Sequence, residues 1–243
     1  MEAKMTMVEA VERRMSVRSF DMKGLSQEEL KQITDYAASL PTLLPGQKIR
    51  ADIIGPDDVK AIMKWRAPHY LAIYAEDSDA GLMNAGFVYE QVALYLTTLG
   101  IGTCWATSVS PKEKKESDGL HWAAVIAFGR PAEGNGWREA GTAKRNAPDT
   151  VYDRKDAAVE AARLAPSSMN NQPWKFRHEG DAIQVFCKKQ GLLKKWMVSQ
   201  NRIDIGIALG NMKAVSDEFA FTLPAAPAEQ DGYTLMGSVT IGL

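Results

Sequence analysis

LAPSSMNNQPWKF, residues 164–176, holds a helix end, a polar loop and the start of a strand. Leu164 closes an apolar stretch, and Pro166 cannot continue a helix because its ring blocks the preceding turn. Ser167, Ser168, Asn170, Asn171 and Gln172 then crowd one short loop, before Trp174 and Phe176 alternate as a strand does. Two readings are open. Ser and Asn cap turns by bonding nearby backbone groups. The same dense set of neutral donors and acceptors beside an aromatic also suits a heteroaromatic ring with polar edges. Upstream, residues 154–164 read as a helix with Ala157, Ala161, Ala162 and Leu164 on or near its packed side. Downstream, WKFRH and IQVFC read as a hairpin turning at Glu179–Gly180–Asp181.

Farther out, residues 5–15 and 26–39 read as helices, the second opened by a Ser26/Glu29 capping box. HYLAIYA (69–75) alternates as a strand, 86–99 is an amphipathic helix, and 111–117 is a possible short helix. AAVIAFG (123–129) is a buried strand, 129–141 a Gly-rich loop and TVYD (150–153) a possible short strand. Residues 204–219 are helical, and the tail from Gly237 is a strand. Helices and strands mix without a βαβ rhythm, so the expected class is α+β, a mixed sheet packed by helices.

A repeat runs through this order. Val88, Val92, Tyr95 and Leu99 share one helical face. Ala208, Met212, Val215 and Phe219 each stand 120 residues later, as Gly206 does after Gly86. Pro41 and Gln47 in LPTLLPGQ match Pro166 and Gln172 at an offset of 125. Chance alignment of two amphipathic helices is the plain alternative. The shared order of loop, helix and terminal strand argues against it.

The 243 residues are 45% hydrophobic, enough for a packed core. Lys and Arg total 29 against 30 Asp and Glu, a net charge of −1 with no block of like charges, which gives no support to a nucleic-acid or membrane partner. Cys104 and Cys187 lie far apart, and His69, His121 and His178 are scattered. No disulfide framework or metal site is expected, and a reducing, cytoplasmic setting fits. Charges throughout residues 1–20 rule out an apolar secretion signal there.

The second chemical motif is RRMSVRSF, residues 13–20. Arg14, Ser16 and Arg18 alternate, and guanidiniums with a hydroxyl can hold a phosphate through charge-assisted hydrogen bonds. A solvated basic helix end, favoured by the macrodipole, is the other reading. Together, RRMSVRSF and APSSMNNQPWKF resemble the two signature segments of the nitroreductase family. ALYLTTLGIGTCWA (93–106), AAVIAFGRP and KRNAPD (144–149) resemble its later helix, following strand and basic arm. The order departs from the family's. There the polar loop follows the basic segment closely, whereas here LPTLLPGQKI occupies that place and the loop comes after the arm. The chain thus resembles a double-repeat subfamily, in which residues 1–142 and 143–243 are two degenerate halves forming a pseudo-dimer in one chain.

The resemblance implies one bound FMN. It assigns Arg14, Ser16 and Arg145 to the phosphate and ribityl chain, with Lys144 a further candidate, and Arg18 to the N1 and C2 carbonyl edge. Pro166, Ser167, Ser168 and Asn170 reach the ring or ribityl from the other half, and the backbone of Trp105, Ala106, Thr107 and Ser108 meets the N5 and O4 edge. No side chain need act as acid or base. The implied activity is hydride transfer from NAD(P)H through the flavin to a small acceptor such as a nitroaromatic or quinone, by a monomer. The alternatives are a non-catalytic flavin-binding or sensing protein, and a specialised relative acting in dehalogenation or flavin breakdown.

Overall fold

The computed structural model describes residues 5–132, 136–191 and 195–242. The chain opens with α1 (Met7–Arg13) and α2 (Gln27–Ser39), each begun by a capping box, Thr6 with Glu9 and Ser26 with Glu29. There follow β1 (Ile49–Ile54), β2 (Val59–Ala61), β3 (His69–Glu76), α3 (Asp79–Thr98), β4 (Gly102–Trp105), β5 (Val109–Pro111) and β6 (Leu120–Gly129). Then come α4 (Pro148–Val151), α5 (Ala157–Leu164), β7 (Trp174–Glu179), β8 (Ala182–Lys188), α6 (Lys195–Ala214), β9 (Glu218–Thr222), β10 (Glu229–Gln230) and β11 (Tyr233–Gly242). Among the described residues, no helix is long and apolar enough to cross a membrane.

The α+β class holds, with two principal antiparallel sheets instead of one. The first runs β1-β3-β6-β4 and the second β7-β8-β11, with β9 and β10 on the far side of β11. With the two-residue β10 set aside, the orders β1-β3-β6-β4 and β7-β8-β11-β9 correspond: first, second, fourth, third in chain order. Between the sheets, α3 and α6 cross at two glycines. A Cβ on Gly86 would press into the Ile203 carbonyl oxygen and lie 2.8 Å from the Ile207 nitrogen. A Cβ on Gly206 would press into the Met83 carbonyl oxygen and lie 2.8 Å from the Phe87 nitrogen. Ile203 and Ile207 stand 120 residues after Met83 and Phe87, so the contact is reciprocal at the offset seen in the sequence. Only hydrogen side chains let two helix backbones approach so closely.

Several sequence expectations shift. The helix expected over 86–99 begins at Asp79, because Gly81–Glu90 is buried on every side and carries no amphipathic stripe. The helix expected over 204–219 is α6, which ends at Ala214. Phe219 lies on β9 instead, its ring stacked on Phe87 at 5.5 Å. Residues 112–117 are not helical; this charged run has no apolar face to bury. TVYD is the end of α4 plus Tyr152, which makes a single bridge to Phe176. The expected loop over 129–141 lies partly outside the described residues, at 133–135.

α1 ties the two sheets' territories together. Its Ala10 and Val11 pack with Leu94 of α3 and Ala161 of α5. The end of α1 therefore sits beside the end of α5, where the loop at 166–172 begins.

Candidate functional site

After α1 the chain runs extended along the edge of β4. The Val17 amide donates to the Thr103 carbonyl (3.0 Å), and Ser16 bridges Thr103. Val17 and Phe20 pack into the core, while Ser16 is half-buried and Arg18 exposed. Opposite stands the loop after α5. The two border one open cleft of about 630 Å³, within the range of small-ligand sites. Arg14, Ser16, Arg18, Trp105, Thr107, Lys144, Arg145, Pro166, Ser167, Ser168 and Asn170 line it. Of the residues singled out in the sequence, Ala106 lines the adjoining hollow, its amide donating to Val125 (2.8 Å). Ser108 is exposed and borders neither space.

The cleft is electropositive. Five cations line it (Arg14, Arg18, Arg138, Lys144 and Arg145) and no acidic side chain among the described residues does. The counter-charge to Arg14 is Glu90 of α3, fully buried, 3.6 Å from Arg14 Nε and accepting from Trp105 Nε1 at 2.6 Å; it also attracts Arg138 and Arg145. Burial pushes the Glu90 carboxyl up to about 7 against the pull of Arg14 and the Trp105 hydrogen bond. Burial, then the neighbouring Arg14, holds Arg138 and Arg145 well below the usual guanidinium range. Arg14 Nη1 is buried with no hydrogen-bond partner. A cation cluster this poor in acids, with an orphaned guanidinium nitrogen, fits a bound phosphate, which would supply the missing acceptors and charge.

Two of these arginines also cap helices. Arg138 donates to the carbonyls of Glu12 and Val11 at the end of α1 (2.6 and 3.1 Å), and Arg145 donates twice to Leu164 at the end of α5. Each is a cation at a helix C-terminus, where the dipole favours it. Arg145 Nη1 also reaches Lys144 O and Asn170 Oδ1. Arg145 is thus heavily engaged with the protein, whereas Arg14 keeps a nitrogen free.

The loop at 166–172 is cross-tied. The Gln172 amide donates to Ser167 Oγ, its Nε2 to Asn170 O, and its Oε1 accepts from the Asn146 amide. These bonds hold Met169, Asn170 and Gln172 at φ of 50°, 56° and 48°, left-handed positions either side of a right-handed Asn171 that cost roughly 1–2 kcal/mol each for a side chain such as Met or Gln. The Ser168 amide donates to Asp204 Oδ1 at 2.9 Å. The turn-capping reading holds, since Ser167 and Gln172 satisfy nearby backbone groups, and the loop forms one wall of the cleft.

Sequence reasoning missed Arg138, Glu90 and Asp204. Arg138 is a lone cation in a Gly-rich loop and carried no signal. Glu90 and Asp204 did: each is a carboxylate within an otherwise apolar helical stretch, which is costly unless partnered or neutral. No three His, Cys, Asp or Glu side chains among the described residues are grouped as metal ligands.

Residues 6–216 match the family model described as "Putative TM nitroreductase". Among solved structures, the chain is similar to a "putative nitroreductase" from Thermotoga maritima, with TM-score 0.64 and 22% identity over 97% of this chain and 95% of that one. It is also similar to a nitroreductase with bound FMN from Bacteroides fragilis, with TM-score 0.49 and 17% identity over 61% of this chain and 98% of that one. A nitroreductase with bound FMN from Desulfitobacterium hafniense gives 0.44 and 14% over 60% and 99%. No curated protein matches the sequence. With its family model matched across both principal sheets' elements from α1 to α6, the chain belongs to this nitroreductase family.

Proposed function

We propose that the chain is an FMN-dependent oxidoreductase that takes hydride from NADH or NADPH and passes it to a small acceptor such as a nitroaromatic or quinone. The observation that carries this reading is the cation cluster with its unpartnered Arg14 nitrogen, facing a neutral polar loop across one cleft. Bound FMN would supply the hydride relay. Arg14, with Ser16, would hold the phosphate, and Lys144, Arg138 and Arg145 would add long-range attraction. Arg18, exposed and lining the same cleft, would set a positive charge beside the ring's pyrimidine edge, favouring an anionic reduced form. The cross-tied loop Pro166–Asn170 would fix the ring's position without rearranging on binding. Its rigidity lowers the ordering cost of the complex.

The second part of the reading is that residues 1–142 and 143–243 are fused halves of an ancestral dimer. Matching sheet orders and the reciprocal Gly86–Gly206 crossing favour it. A second site would take its loop from the first half, where Thr42, Leu43, Leu44, Pro45 and Gly46 stand in place of the polar residues, and its basic segment from the second half, which has no Arg-x-Ser-x-Arg. Leucines cannot replace the hydrogen bonds a flavin edge loses on leaving water, so one FMN per chain follows.

The test is spectroscopic. Anaerobic NADH or NADPH should bleach the flavin absorbance of the purified protein, and a quinone should restore it. Bound flavin that neither nucleotide bleaches would favour the non-catalytic binding protein. A protein that takes up no flavin would overturn the reading.

A further inference from the structure

Beside the cleft lies a narrow hollow of about 30 Å³, wide enough for a water or the rim of a flat ring. Trp105, Thr107 and Ser168 border both spaces, Ile203 and Ile207 give the hollow apolar lining, and Trp122 also lines it, its Nε1 buried without a partner. Asp204 of α6 lines it and is 2% exposed. Its Oδ1 accepts from the Ser168 amide, while its Oδ2 is buried with no partner.

Asn84 stands 120 residues earlier, at the matching place on α3. There both side-chain polar atoms are used: Oδ1 accepts from the Leu44 amide (2.7 Å) and Nδ2 donates to the Leu44 carbonyl (2.9 Å). At Asp204 the same arrangement leaves one polar atom over. Burial pushes the carboxyl up to about 8, against the pull of the Ser168 amide. Near neutral pH it is therefore a neutral acid. With Oδ1 accepting from Ser168, the hydroxyl stands on Oδ2. No other residue among the described ones lining the hollow is ionisable. Cys187 of β8 is the described titratable group that interacts with Asp204, and burial pushes its thiol up to about 11, so it stays uncharged.

We propose that Asp204 is a ligand-binding residue whose Oδ2–H donates a hydrogen bond to an acceptor atom on the rim of a flat ring entering the hollow from the cleft. The inference rests on the flavin-dependent reading above, and the ring belongs to either the flavin or the acceptor substrate.

The test compares the intact protein with Asp204→Asn from pH 6 to 9.5. The variant keeps an acceptor for Ser168 and puts an amide donor where the hydroxyl stood, and Asn84 shows that the fold accommodates Asn at this helix position. One arm measures the Kd of FMN and of riboflavin by fluorescence quenching. The other measures KM for a 1,4-naphthoquinone. Above pH of about 8 the wild type should weaken about tenfold per pH unit in one arm, because only the neutral acid donates. The variant should not weaken in that way. Titration of Arg138, Arg145 and the FMN phosphate is common to both proteins and drops out of the comparison. A change in Kd assigns the ring to the flavin, and a change in KM alone assigns it to the acceptor. Superimposable profiles in both arms would overturn the proposal and leave Oδ2 to a water. Failure of the wild type to bind flavin at any pH would sink the flavin reading first and this inference with it.

Discussion

Replacing Gly86 by Ala tests the helix crossing on which the fold's symmetry turns. The new methyl would press into the Ile203 carbonyl and stand 2.8 Å from the Ile207 nitrogen and 3.0 Å from Gly206 Cα. All are backbone atoms, so no rotamer change relieves the crowding, and α3 and α6 must separate. Overpacking of a tight core costs typically 1–3 kcal/mol, and this case belongs at the upper end, about 3 kcal/mol. Alanine's better helix propensity returns about 1 kcal/mol, leaving a net loss of about 2 kcal/mol. In a chain of this length that lowers Tm by roughly 4–8 °C. Gly206→Ala should cost about the same, because its contacts with Met83 and Phe87 mirror those of Gly86. The double variant should cost less than the sum, since helices once separated admit both methyls. Urea unfolding followed by tryptophan fluorescence, at unchanged m-value, measures all three. A loss under about 0.5 kcal/mol for either single variant, or a gap above about 2 kcal/mol between them, would refute the reciprocal crossing.

Three further outcomes follow from the site and its surroundings. Arg14→Ala should weaken FMN on the order of ten- to a hundredfold and riboflavin little, since a charge-assisted phosphate bond contributes roughly 1.5–3 kcal/mol; equal weakening in parallel titrations would contradict its role. Arg18→Gln should make full reduction of the bound flavin harder in a potentiometric titration, and no shift would count against a cation at the pyrimidine edge. His69 Nε2 accepts from the Leu25 amide at 2.8 Å, and burial lowers the imidazole's pKa. Its folded value lies below the unfolded one, so its contribution is full above about pH 6.5 and is lost as pH falls through the lowered value. His69→Gln, which keeps an acceptor that does not titrate, should lose less stability than wild type across that window in urea midpoints; parallel curves would exclude the linkage.

The sequence carried the α+β class and the β7–β8 hairpin because alternation and a Gly-centred turn are local signals. It also carried the two central helices, through Val88 and Val92 with their partners Ala208 and Met212. It misplaced their ends for two physical reasons. Where α3 is buried all round, from Gly81 onward, no polar stripe marks a helix. Beyond α6 the apolar spacing continues through Phe219, but the chain turns at Ser216–Asp217 and that residue packs from a strand. β1 escaped notice because its half-buried residues, IRADII, show no clean alternation. In the site, the two motif segments were legible as residues, but their meeting was implied only by the family resemblance, with no local signal for it. That meeting depends on α1 packing against α5, a contact between residues about 150 apart in the chain, Ala10 with Ala161. Arg138 was hidden for the same reason. Asp204 was missed, although a carboxylate amid apolar helix residues is a signal, and its consequence required knowing that Ser168 uses only one of its oxygens.

One FMN site, built from both halves of the chain, should be complete without a partner subunit. The most direct measurement is flavin absorbance against protein concentration with light-scattering mass, taken together across a dilution series. One FMN per chain, retained at the mass of a single chain, is the predicted result. Two flavins per chain, or flavin released in step with the dissociation of a dimer, would contradict it.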